Sequence, residues 1–197
     1  MKSVIATLLM SIMLAMPACA QQSGNQSTQN IKKMKTLIVY YSFTGNTKRI
    51  AEKIQASTGA DIARIETVQP YPADYNQTVS QGNDEVRRGF KPEIKPLGVD
   101  VASYDRIIVG TPTWWYRMAP AVLTFLSNAN LKDKVVVPFM TNAGWPGTVI
   151  ADMKRIATER GATVENAHEF RFSASYHNRD HMTTSEQELS RWIKSLK

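Results

Sequence analysis

Residues 35–47 read KTLIVYYSFTGNT, and the order of side-chain types in them decides what kind of sheet the chain builds. Leu37, Ile38, Val39, Tyr40 and Tyr41 form a run of aliphatic, β-branched and aromatic residues without polar alternation. That suits a central strand of a parallel sheet covered on both faces. A helical pattern begins after Thr47, with Ile50, Ala51 and Ile54 on one face and Lys48, Arg49, Glu52 and Lys53 on the other. Between strand and helix lies SFTGNT, residues 42–47. The hydroxyls of Ser42, Thr44 and Thr47, the amide of Asn46, Gly45 and the N–H groups of a helix start converge there, which matches what a phosphate monoester needs. On local chemistry alone, a plain strand-to-helix turn capped by Thr44 or Asn46 explains the loop equally well.

Two better-known phosphate loops do not fit. A Walker loop needs a second glycine followed by Lys and Ser or Thr, and the dinucleotide fingerprint needs three spaced glycines, whereas this loop has Gly45 alone. SFTGNT behind an apolar strand resembles the phosphate-binding loop of the flavodoxin family. The resemblance implies that Ser42, Thr44, Gly45, Asn46 and Thr47 hold the phosphate of FMN through hydroxyls and backbone amides, without a cationic side chain.

At 197 residues, 43% of them hydrophobic, the chain is long enough for one domain with a sizeable core. The formal net charge is +7, and because residues 1–20 contribute only Lys2, the surplus belongs to the rest of the chain. Such a charge invites acidic partners, but most exposed Lys and Arg simply solvate a surface. No arginine-rich run or RNA-type aromatic motif points to nucleic acid. Cys19 is the sole cysteine, so neither an internal disulfide nor a cysteine metal cluster can form.

Lys2 precedes a mostly apolar run from Val4 to Met16, the length of a signal h-region and short of the ~20 residues that span a bilayer. Residues 1–20 are therefore read as an export signal to the periplasm or cell envelope. Ala18, Cys19 and Ala20 allow cleavage after Ala20, while Cys19 is also placed as a lipoprotein acceptor followed by a polar tether, which would give the one membrane contact expected. Pro17 and Met16 fit a lipobox poorly. Residues 21–33 are nearly devoid of apolar side chains and are expected to be disordered. Translation from Met34 would instead give a cytoplasmic protein.

The folded domain is expected over 34–197. Gly59 is placed to end the first helix, and 61–67 alternates as a second strand. Pro70, Pro72, Pro92 and Pro96 bracket DYNQTVSQGNDEVRRG, residues 74–89, read as a crossover helix with irregular ends. The Tyr-Pro and the later Lys-Pro-Glu resemble one bacterial subgroup of flavodoxins. YDRIIVG (104–110) supplies the next strand, and TPTWWYRMAP (111–120) follows as a loop at its C-terminal end. Open α/β sheets bind ligands at such ends, where strand order reverses. GTPTW resembles the flavodoxin loop whose aromatic stacks on the isoalloxazine, which implies Pro112, Thr113, Trp114, Trp115 and Tyr116 around the ring, with Trp114 stacked on it. The alternative is two large side chains covering the sheet edge.

Pro120 opens a helix. KVVVPFM (134–140) is the fourth strand, with a bulge or distortion expected at Pro138. It ends in TNAGWPGT (141–148), which by position is similar to the second flavin-contacting loop, implying Thr141, Asn142, Ala143 and Gly144 at the ring. Trp145 departs from that pattern, and its role stays open. A helix over 148–160, a fifth strand over 164–172 without a long insertion, and a last helix capped by Thr184 with Gln187 complete the pattern. His168, His177 and His181 have no metal-ligand spacing and are read as surface or packing residues. No G-x-S-x-G elbow occurs.

Five strands alternating with about five helices imply an α/β, doubly wound, flavodoxin-like parallel sheet of order 2-1-3-4-5, with FMN at the switch point between the first and third strands. The resemblance implies an electron-transfer protein whose flavin does the chemistry, with a redox partner protein or a small-molecule electron acceptor and no catalytic side chain. Two alternatives stand beside it. One is an FMN-dependent reductase of quinones or other small molecules using NAD(P)H, although no separate nicotinamide site is visible. The other is an envelope-anchored protein that keeps the fold without the flavin. Carriers of this family are commonly acidic, and this basic chain departs from them.

Overall fold

A computed structural model describes residues 34–197, so the expected signal, tether and Cys19 lie outside the described residues. The expected apolar run becomes β1 (Thr36–Tyr40), followed by α1 (Asn46–Thr58) and β2 (Asp61–Arg64). Then come α2 (Tyr75–Arg88), β3 (Arg106–Trp114), β4 (Arg117–Met118), α3 (Pro120–Asn128) and β5 (Val135–Asn142). The chain closes with α4 (Val149–Glu159), β6 (Thr163–Val164), β7 (His168–Arg171) and α5 (Glu186–Lys194). The parallel path runs β2-β1-β3-β5-β6, which is the anticipated doubly wound order. The sheet has seven strands rather than five, because β4 pairs with β3 and β7 with β5.

Strand alternation decides which helices cover which face. Leu37, Val39 and Tyr41 enter one buried cluster with residues of α3 and α4, while Ile38 and Tyr40 enter another with Ile50 and Ile54 of α1 and Leu189, Trp192 and Ile193 of α5. Ile50 and Ile54 are fully buried, each contributing about 1.5–3 kcal/mol. Helix α1 ends on Gly59 in the left-handed region (φ 69°), its N–H bonded to the Gln55 carbonyl. Helix α5 begins one residue later than the expected box: Ser185, not Thr184, is the cap, and its Oγ accepts from the Glu188 N–H. Thr184 is occupied instead, its Oγ1 accepting from Arg171 N–H at 2.8 Å. As expected, α2 is an excursion with irregular ends, which meet where Thr67 bridges Ile94.

The extra strand at the far edge traces to Pro138. Val135 donates to Asp105 on the β3 side, and the Val136 carbonyl accepts from Glu165 on the other. By alternation the missing Pro138 N–H falls toward the fifth strand. On the β3 side, Val109 and Pro138 stay in register. On the other side, 136 to 139 of β5 span the interval from 164 to 168, one residue longer, and the expected single strand is split into β6 and β7. Asn166 in the gap has φ 49°, and its carbonyl accepts from Trp192 Nε1 at 2.7 Å. The distortion anticipated at Pro138 therefore lies on its neighbour.

Candidate functional site

The chain leaves the sheet at Ser42, which is buried, with its Oγ accepting from Gly45 N–H at 3.2 Å. Gly45, at φ 99°, stands at the N-cap of α1, where no side chain caps the helix. Neither Thr44 nor Asn46 caps it, so the helix starts without a side-chain cap beside the exposed Thr44. Thr47 is directed inward: its Oγ1 lies 2.8 Å from Thr141 Oγ1, tying the start of α1 to the end of β5. Asn46 Nδ2 donates to the Arg179 carbonyl at 2.9 Å and Arg49 Nη1 to that of Asp180 at 3.0 Å. The segment after β7 is thereby fastened to the start of α1.

The stretch expected as a loop after the third strand is a hairpin. β3 runs on to Trp114 and returns as β4, with Thr113 opposite Met118 and Trp114 opposite Arg117. Its two turn residues, Trp115 and Tyr116, both have positive φ, 47° and 65°. Such a turn favours Asn-Gly, and two aromatics there carry strain. Tertiary contacts hold it: Trp115 Nε1 donates to the Val79 carbonyl of α2 at 2.9 Å, and the Tyr116 carbonyl accepts from Thr148 N–H at 2.9 Å. A Cβ on Gly147 would lie 2.0 Å from the Tyr116 carbonyl oxygen, so the 144–147 loop can approach only as glycine. Arg117 reaches Asp152 at 2.6 Å. Burial acts to raise the Asp152 carboxyl, but hydrogen bonds from Thr148 and Arg117 carry it below its usual range.

Trp114 itself turns inward. Its ring meets Tyr71, Tyr41 and Phe43 edge-on, at centroid distances of 4.8, 5.7 and 6.2 Å. Gly82 of α2 makes room for it, since a Cβ there would lie 2.8 Å from Trp114 Cε3. Tyr71 is fixed by its OH donating to Glu85 Oε2 at 2.6 Å. Burial first, and that bond second, hold the phenol well above its ordinary pKa.

β5 ends in Thr141 and Asn142, both buried. Asn142 Oδ1 accepts from Gly144 N–H at 2.6 Å, and its Nδ2 donates to Glu169 Oε1 at 3.1 Å. The third candidate loop is thus folded on its own amide.

Between these loops lies a cleft of about 390 Å³. Of the residues expected at a flavin, Thr44, Asn46, Pro112, Thr113, Trp114, Trp115, Thr141, Asn142 and Ala143 line it. Ser42, Gly45, Thr47, Tyr116 and Gly144 shape the loops without lining the cleft. Trp145, whose role the sequence left open, sits on the rim, 55% exposed beside Trp115 at 45%. Sequence reasoning missed the wall from α2 (Tyr75, Thr78, Val79, Gly82) and the wall from Phe172, Ser173, Ala174 and Arg179. Gly82 alone carried a signal, because a glycine inside a polar helix costs about 1 kcal/mol against Ala and marks a close approach.

A family model described as flavodoxin matches residues 35–195. The chain belongs to the flavodoxin family. Among solved structures, the flavodoxin fold is shared with a Bacteroides eggerthii protein described as a flavoprotein: TM-score 0.65, 28% identity, 83% of this chain and 98% of that one. It is shared also with a flavoprotein of Lactobacillus acidophilus solved in complex with FMN: TM-score 0.60, 26% identity, 81% of this chain and 99% of the other. In sequence the chain is similar to an NAD(P)H dehydrogenase (quinone) of Cupriavidus metallidurans, 32% identical over 98 residues, or 48% of this chain and 46% of the relative. This flavodoxin-family chain spans about half the length of the curated relatives it matches.

Proposed function

We propose that the chain binds FMN in the cleft between the loops after β1, β3 and β5 and serves as an electron-transfer protein. The observation that carries this reading is the meeting, in one cleft, of an uncapped helix start beside hydroxyl and amide side chains with an aromatic wall at the sheet's switch point. The residues fit the group. Thr44, Asn46 and the first-turn amides of α1 would hold the phosphate, while Ser42 and Thr47, engaged with Gly45 and Thr141, keep the loop in shape. Pro112 to Trp115 and Thr141 to Ala143 would flank the ring, with Tyr116 and Gly144 shaping those loops and Trp145 adding an exposed aromatic face. Bound there, FMN would supply one- and two-electron redox chemistry. The protein's part is to bind it, orient it and exclude water from one side of the ring through the aromatic cluster around Trp114. Titrating FMN and riboflavin against the purified protein, read by quenching of flavin fluorescence, tests this. Tighter binding of FMN supports it, and equal affinities refute the phosphate assignment.

The similarity to quinone dehydrogenases favours a second reading, an FMN-dependent reductase of quinones or other small molecules fed by NAD(P)H. Steady-state NAD(P)H oxidation with a quinone acceptor separates the two, since a carrier shows turnover only with a redox partner protein. For residues 1–33 the sequence supports export, with a lipid on Cys19 as one form of it. N-terminal sequencing and membrane fractionation test that, and a cytosolic chain starting at Met34 would sink it.

A further inference from the structure

A second cavity, of about 380 Å³, forms where the chain leaves β2, and among the described residues Phe43 alone lines both it and the cleft. Ile65 N–H donates to the Tyr40 carbonyl at 2.7 Å, which keeps the departing segment beside β1. Lys95 N–H to the Glu66 carbonyl (2.8 Å) and Val68 N–H to the Glu93 carbonyl (2.9 Å) then close the neck of the α2 excursion. The cavity is the space between that neck and residues 41–43. Its floor is buried: Ile65 is fully enclosed and Tyr41 is 5% exposed, and Phe43 and Tyr71 add two more rings. A volume of this size with aromatic walls and a few converging polar groups is what small-molecule sites share.

Two of those polar groups have capacity that the protein does not use. Among the described residues Tyr41 makes ring contacts with Tyr71 and Trp114 but no hydrogen bond through its hydroxyl. A hydroxyl on so buried a ring ordinarily has a partner. Burial, stronger than the opposing charge of Arg64, holds the phenol well above its usual pKa, so it stays protonated and able to donate. Arg64 gives one of its five N–H donors to the Ser42 carbonyl at 3.1 Å and makes no ion pair among the described residues. At the rim Lys95 and Glu66 pair with each other at 3.2 Å. Glu85 does not line the cavity; its oxygens accept from Tyr71 OH and Gln81 Nε2. The one unpaired charge facing the space is therefore that of Arg64.

We propose that this cavity is a second small-molecule site, one that takes a flat aromatic monocarboxylate. The ring lies against Phe43 and Tyr71, and the carboxylate accepts hydrogen bonds from the Arg64 guanidinium and the Tyr41 hydroxyl. A single negative charge matches the single unpaired cation, whereas a dianion would bring its second charge up to Glu66. The site stands apart from the FMN reading, because with only Phe43 in common the two ligands can be held at once.

Calorimetric titration of the full chain with 2-naphthoate, in the absence and presence of saturating FMN, tests it, with naphthalene-2-carboxamide as the uncharged analogue of similar shape. 2-Naphthoate is expected to bind about tenfold more tightly than the amide, and to bind the FMN-saturated protein as well. Arg64→Gln should weaken 2-naphthoate about tenfold or more and leave the amide unchanged. Tyr41→Phe deletes a hydroxyl that bonds to nothing in the protein, so the melting temperature should hold while 2-naphthoate affinity falls several-fold. Absence of saturable 2-naphthoate binding, equal affinity for acid and amide, or indifference to both substitutions would overturn the proposal. Displacement of 2-naphthoate by FMN would overturn it too, by putting the aromatic acid in the cleft. If FMN fails to bind, the electron-transfer reading falls, and the titration without FMN still decides this site.

Discussion

The loop after β1 and the hairpin after β3 face the same cleft, yet they are held in opposite ways. The first is made of small polar residues whose conformation is locally cheap: Gly45 takes the one positive φ, and the Ser42 hydroxyl closes the turn. The second places Trp115 and Tyr116 where Asn and Gly belong, and depends on α2 and the 144–148 loop to stay there. A loop that satisfies its own backbone is ready for a ligand without outside help. A strained loop keeps its shape only while its neighbours are in place, so damage to a neighbour should reach the hairpin and pass the β1 loop by.

The largest effect that contrast predicts is at Gly147. Gly147→Ala puts a methyl against the Tyr116 backbone at a φ of 57°, so a loss of about 3 kcal/mol or more is expected in urea unfolding. The hairpin should loosen and ligand affinity fall. An unchanged midpoint would mean that the hairpin is not held from outside.

Next come the threonines, which should separate binding from stability. Thr44→Ala removes an exposed hydroxyl, so FMN affinity should drop by about 1.5–3 kcal/mol with stability unchanged. Thr47→Val orphans the Thr141 hydroxyl in a buried site, so stability should drop by about 1–2 kcal/mol. Calorimetric titration paired with thermal unfolding distinguishes them, and a reversed pattern would put the phosphate contact on Thr47.

The double change Trp115→Asn with Tyr116→Gly should relieve the turn, stabilising the fold by about 1 kcal/mol while weakening FMN. Loss of stability instead would show that the Trp115 bond to Val79 outweighs the strain.

The smallest effect concerns pH. His168 packs against Trp192 with ring centroids 5.4 Å apart; its Nε2 lies 3.2 Å from Glu188 Oε1, close enough for an ion pair but without a hydrogen bond. Burial lowers its pKa from 6.5, only partly opposed by Glu188. The unfolded chain then takes up the proton more readily, so this contribution to stability is complete above about pH 6.5 and is lost as pH falls through the lowered value. His168→Phe should flatten that slope in a pH series of melting temperatures, and an unchanged slope would assign it to another group.

What the sequence made legible follows the same division. The run from Leu37 to Tyr41 and the helix behind it could be read because their residue types agree with their local geometry. The hairpin could not, since no Asn-Gly marks it and its turn is imposed by Val79 and Thr148. The fifth strand was anticipated as one piece because Pro138 disrupts the partner strand rather than its own, and the α5 cap shifted by one because Thr184 and Ser185 both carry a hydroxyl. The Arg179 wall was illegible for a simpler reason: Asn46 meets it across 133 residues of chain.

The additional residue between β6 and β7 also settles a question of parity. Side chains along a strand alternate between the two faces, so a shift of one position exchanges them all. Counted from Val164 without the extra residue, Phe170 would be paired with Asn142 instead of Thr141 and turned toward the face covered by α3 and α4. With it, Phe170 and Phe172 join Phe139 beneath α1 and α5, and the chain beyond them emerges on the side where Asn46 and Arg49 can catch it. A proline that touches nothing in the cleft thus decides on which side of the sheet its last wall is built.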